Sequence, residues 1–88
     1  MNDSSLTSVI IIDDHPLFRK GVADLIGMEP ALHLVGEAAD GESGIRLARD
    51  QNPDLILLDL NMKGLNGIQT LQRLRAAELD ARVVMLTV

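Results

Sequence analysis

Cysteine is absent from these 88 residues. That excludes a disulfide framework, a thiolate zinc site and a cysteine nucleophile. Aromatic side chains are nearly absent as well, with Phe18 the only one, so stacking platforms for bases or sugar rings are not expected. No apolar run approaches the roughly 18–20 residues of a membrane span. The polar start, residues 1–8, lacks the basic-then-apolar pattern of a signal peptide. Both absences point to the cytoplasm and to no membrane partner. An excess of basic residues is also missing: 13 acidic side chains face 8 basic ones, for a net charge of −5. This argues against nucleic-acid binding through the chain's own surface. What remains, 47% hydrophobic and 24% charged, is the composition of a globular chain with room for one folding unit.

Three apolar runs stand out: Val9–Ile12, Leu55–Leu58 and Val83–Leu86. Runs without polar alternation are the habit of strands buried on both faces of a parallel sheet. Leu32–Ala38 is a weaker strand, interrupted by Gly36 and Glu37, and suits a position nearer a sheet edge. Helical patterns lie between these runs. Pro16 opens the first, with Phe18, Val22, Leu25 and Ile26 spaced to share one face, and Gly27 and Pro30 end it. The second runs from Gly41 to Asp50, with Ile45, Leu47 and Ala48 apolar and Asn52-Pro53 as its stop. Gly67 opens the third, with Ile68, Leu71 and Leu74 on one stripe. The order β-α-β-α-β-α-β predicts an α/β fold with a parallel sheet. The chain ends directly after a strand, which suggests a fragment of a longer domain.

Ligands of open parallel sheets bind at the carboxyl ends of the strands. Here those ends carry Asp13 and Asp14, then Asp59, then Thr87. Adjacent strands are about 4.8 Å apart, and two carboxylate charges about 4 Å apart repel by about 4 kcal/mol at an effective dielectric near 20. Such a cluster requires a cation, a proton or a hydrogen-bond donor. Hard oxygen ligands suit Mg²⁺, which keeps several waters and leaves coordination positions for a phosphate. More ordinary roles compete. Asp13 suits a turn, and Asp14 suits capping the helix that begins at Pro16. His15 invites a metal or proton-transfer role but reads more simply as a polar residue before a helix, His33 is an ordinary strand-edge residue and Met62 a packing residue.

The acidic pair Asp13-Asp14, the loop Asp59-Leu60-Asn61-Met62-Lys63-Gly64-Leu65-Asn66-Gly67 and Thr87 together resemble the receiver domain of two-component response regulators. Asp14-His15-Pro16 and the Asn61–Gly64 loop are most similar to the NarL/FixJ (LuxR-type) branch and its nitrate/nitrite regulators. The resemblance covers residues 9–88, with 1–8 as a flexible N-terminus. It implies a flavodoxin-like parallel sheet with helices on both faces, truncated after the fourth strand, in strand order 2-1-3-4. It implies a fourth helix, fifth strand, fifth helix and helix-turn-helix domain absent from this chain, along with the lysine at the end of the fifth strand. It implies Asp59 as phosphoacceptor for a sensor histidine kinase and Thr87 as the switch hydroxyl. It implies Mg²⁺ held by Asp14, Asp59 and the backbone carbonyl of Asn61, with Asp13 acting through water. DNA would be a partner only through the absent C-terminal domain, and transcription regulation would be the output. Such a domain is not an enzyme beyond Mg-dependent self-phosphorylation and autodephosphorylation. One departure is Lys63, where the family has proline.

Three rival readings differ in what they require. A metal-dependent phosphotransferase wants an acid two residues after the nucleophile, where Asn61 stands. A flavin module wants a glycine-rich phosphate loop and aromatics, where residues 13–16 read Asp-Asp-His-Pro. An inert fragment would keep the sheet, lose switching and self-associate into a homo-oligomer through the edge at Val83–Leu86 and its bare faces.

Overall fold

The computed structural model describes residues 6–86, so Thr87 lies outside the described residues. The elements are β1 (Thr7–Ile12), α1 (Pro16–Gly27), β2 (Leu32–Ala38), α2 (Gly41–Gln51), β3 (Leu55–Asp59), α3 (Gly67–Ala76) and β4 (Arg82–Leu86). All strand pairs are parallel, in the order β2-β1-β3-β4. The expected order 2-1-3-4 therefore holds, with the interrupted β2 at an edge. Its register against β1 slips between Val9 and Ile10, which leaves Val35 unpaired.

Alternation along the strands sorts the core onto two faces. Ile10, Ile12, Ile56 and Leu58 point to one side, where they pack with Ile45 and Ala48 of α2 and Leu74 of α3. Val9 and Ile11 point to the other side and meet Ile26 of α1. Helices thus cover both faces.

Each helix has a local reason for its ends. Pro16 occupies the first turn of α1, and His15 sits at the N-cap position without a side-chain cap bond. Asp14 does not cap this helix, contrary to expectation, because its carboxylate turns toward the β3–α3 loop. Asp40 caps α2 by accepting the Ser43 N–H at 2.8 Å, and Asn52 closes α2 in the left-handed conformation, which Asn tolerates. α3 opens with a reciprocal pair: Asn66 Oδ1 accepts from Gln69 N–H, and Gln69 Oε1 accepts from Asn66 N–H.

The helix faces differ in part from the expected stripes. Ile26 is buried, yet Leu25 is 67% exposed and Phe18 lies at the rim. In α3, Leu74 and Thr70 are buried while Ile68 is 52% exposed. A helix lays only one stripe of its surface on a sheet, and the apolar residues that flank this stripe stay in solvent.

Candidate functional site

β1 and β3 run side by side in register, with Ile12 opposite Leu58. The next step along each strand brings Asp13 beside Asp59. Both share the parity of Val9, Ile11, Leu55 and Leu57, so both side chains turn to the α1 side of the sheet. Both are fully buried. Asp14 follows in the loop, partly exposed, and its Oδ2 accepts the Lys63 backbone N–H at 3.1 Å. That bond ties the β1–α1 loop to the β3–α3 loop over the end of the sheet.

The β3–α3 loop is held from below. Asp59 Oδ1 accepts the Asn61 N–H at 3.0 Å, and Met62 is buried in the α2/α3 core, the packing role expected of it. Gly64 takes a positive φ of 69°, which glycine adopts without a Cβ clash. At Gly67 a Cβ would stand 2.5 Å from the Asp59 carbonyl oxygen. Only glycine lets the start of α3 come this close to the end of β3.

Ligand atoms of Asp13, Asp14, His15 and Asp59 all lie within 4.8 Å of one another. Asp13 Oδ2, Asp14 Oδ1 and Asp59 Oδ2 are buried and have no hydrogen-bond partner. Three unpartnered carboxylate oxygens in one small space are strongly unfavourable without a positive charge. They supply the hard, anionic donors that a divalent cation such as Mg²⁺ requires, so the residues present fit the metal.

His15 is the residue that sequence reasoning set aside as a plain polar residue before a helix. Its Nδ1 lies 2.9 Å from Asp13 Oδ1, 3.1 Å from Asp14 Oδ1 and 3.1 Å from Asp59 Oδ2, and its backbone N–H donates to Asp13 Oδ1 at 2.7 Å. The hydrogen bond to Asp13 raises its pKa above the ordinary 6.5, and the charges of Asp14, Asp13 and Asp59 add to this against a desolvation cost. The available signal was its place directly after two strand-end carboxylates, in a loop that must turn back across them to start α1. Neither lysine side chain bonds to the cluster. Lys20 pairs with Asp24, and Lys63 gives its backbone N–H. His33 is exposed on β2, as expected.

A second feature lies at the opposite end of the sheet. Thr7, Asp54, Asp80 and Arg82 line an open hollow of about 520 Å³, far from the acidic cluster.

Comparison with known proteins agrees with this geometry. Residues 9–88 match the response regulator receiver domain. The chain is 50% identical, over its whole length, to the nitrate/nitrite response regulator protein NarL of Escherichia coli K12, and 47% identical to NarP of the same organism. It spans 41% of the length of each of these relatives. Among solved structures, the signal receiver domain of NarL from Mycobacterium tuberculosis superposes with a TM-score of 0.89 at 37% identity, covering 94% of this chain and 67% of that one. A LuxR-family DNA-binding response regulator from Staphylococcus aureus superposes at 0.86 with 28% identity, covering 93% and 68%. The strand order, the carboxylates at the ends of β1 and β3 and these likenesses agree, and the chain belongs to the response regulator receiver domain family.

Proposed function

We propose that this chain receives a phosphoryl group on Asp59 from the phosphohistidine of a sensor histidine kinase. The observation that carries this reading is the buried, unpartnered Oδ2 of Asp59, beside two further carboxylates at the carboxyl end of a parallel sheet. The Asn61 N–H occupies Oδ1, which leaves Oδ2, faced by the His15 ring at 3.1 Å, as the oxygen that attacks. Oδ2 forms a bond to phosphorus, the phosphorus–nitrogen bond of the donor breaks, and the departing imidazole takes up a proton from water. A receiver domain is a regulatory module, so this transfer is a signal and not a turnover reaction.

The residues suited to hold Mg²⁺ are Asp14, Asp59 and the Asn61 carbonyl, with Asp13 acting through water. When bound, Mg²⁺ neutralises charge on the transferring phosphoryl group. Asp13 and Asp14 make the pocket anionic, so a dianionic phosphoryl group enters only with a cation. Thr87, the residue after β4, suits the switch hydroxyl that senses the acyl phosphate. DNA binding belongs to a further domain of the longer protein, as in the LuxR-family regulators that this chain resembles, and transcription regulation is the output. Among the described residues, no helix is long and apolar enough to cross a membrane.

Incubation with a phosphohistidine-loaded kinase of the nitrate-regulator type tests the reading. Label moves to the wild-type chain and does not move to Asp59→Asn. Equal labelling of both overturns it.

A further inference from the structure

The His15 ring stands where a cation belongs. Its Nδ1 is 2.9–3.1 Å from one oxygen of each of three carboxylates, and two of those oxygens, Asp14 Oδ1 and Asp59 Oδ2, have no hydrogen-bond donor. Nδ1 lies 2.9 Å from an acceptor oxygen of Asp13, and the tautomer that makes this bond carries its proton on Nδ1. A protonated nitrogen cannot ligate a metal. An ion held by the carboxylates of Asp14 and Asp59 would need the space that Nδ1–H occupies beside them. The ring covers the nucleophilic oxygen as well.

We propose that His15 is a built-in occupant of the acidic pocket, filling the cation position until a divalent metal displaces its ring into solvent. This rests on the reading of the pocket as a cation site. The ring is free to leave. Its side chain is 49% exposed, it begins a helix without making a cap bond, and its backbone N–H stays on Asp13 Oδ1 whichever way the ring points. The loop itself is anchored independently, because the Arg19 guanidinium donates to the Asp13 carbonyl at 2.7 Å and pairs with Glu37 on β2. Rotation of one side chain therefore opens the pocket without moving the backbone. His15 sets metal affinity by competition, and it guards Asp59 Oδ2 while the pocket holds no metal.

The test is Mg²⁺ titration by calorimetry on wild-type protein, His15→Ala and His15→Phe, at one fixed pH. Removing one competing hydrogen bond tightens Mg²⁺ binding about three- to tenfold in His15→Ala. His15→Phe keeps the ring size and loses the donor, and it tightens binding likewise. Nitrogen-15 spectra of wild-type His15 lose the carboxylate-bonded Nδ1–H signal as Mg²⁺ saturates. Weaker binding in both variants makes His15 a ligand, and unchanged binding shows that the ring does not compete. Either result overturns the proposal while leaving the cation site standing. No Mg²⁺ binding by any of the three proteins overturns the cation-site reading and this inference with it.

Discussion

Replacing Asp59 by asparagine should stabilise the metal-free protein. Asn keeps an Oδ1 to accept the Asn61 N–H at 3.0 Å. In place of Oδ2, buried without a donor, it puts an amide N–H₂ that can donate to Asp13 or Asp14. In the wild type, the Asp59 charge is opposed by two carboxylates with ligand atoms within 4.8 Å. At that separation each contributes about 3 kcal/mol of repulsion at an effective dielectric near 20. His15 offsets part of this, but one ring is shared among three acids. After that offset, the substitution should gain about 1–3 kcal/mol. Urea unfolding in chelator should show a higher midpoint with an unchanged slope. Saturating Mg²⁺ should stabilise the wild type more than the variant, since a ligand stabilises only the state that binds it. A metal-free Asp59→Asn protein less stable than wild type would refute the reasoning, because it would mean that the Asp59 charge is well satisfied in the fold.

Three further outcomes follow from the fold. Asn66→Ala removes the side chain that caps α3 and breaks its capping box, which should cost about 1 kcal/mol in urea unfolding. Gly67→Ala places a Cβ 2.5 Å from the Asp59 carbonyl; backbone must shift, so stability should fall by about 1–3 kcal/mol and phosphorylation should slow with it. Asp40 accepts the Ser43 N–H, which lowers its carboxyl pKa below 3.8. This contribution is present above the unfolded pKa and is lost as pH falls through the lower folded value. Asp40→Asn, which keeps the cap bond, should therefore show a shallower loss of stability below about pH 4 than wild type.

The sheet was legible because four β-branched residues in a row, Val9–Ile12, fit only a strand buried on both faces. The meeting of Asp13, Asp14 and Asp59 at one end of the sheet was legible from the apolar runs that each follows, since ligand sites of parallel sheets lie at the strands' carboxyl ends. Helix faces were legible only in part. Phe18, Leu25 and Ile68 have the right spacing for a buried stripe, but spacing fixes an angle on the helix and not the width of the sheet beneath it. At His15 the position was legible, directly after two strand-end carboxylates, but the direction of its ring was not. Whether its ring faces solvent or folds back over the carboxylates depends on the path from β1 to α1, which Arg19 and Lys63 set through bonds to residues remote in sequence. Asp14 failed as a helix cap for the same reason: the Lys63 N–H reaches it from 49 residues away.

Phosphorylation of Asp59 is the central claim, and intact-mass spectrometry after incubation with acetyl phosphate and Mg²⁺ tests it most directly. One phosphoryl group should appear on the wild-type protein, be lost in hydroxylamine as an acyl phosphate is, and require Mg²⁺. Asp59→Asn, folded by circular dichroism, should remain unlabelled. A phosphoryl group retained on Asp59→Asn, or a folded wild-type protein that takes none, would contradict the account.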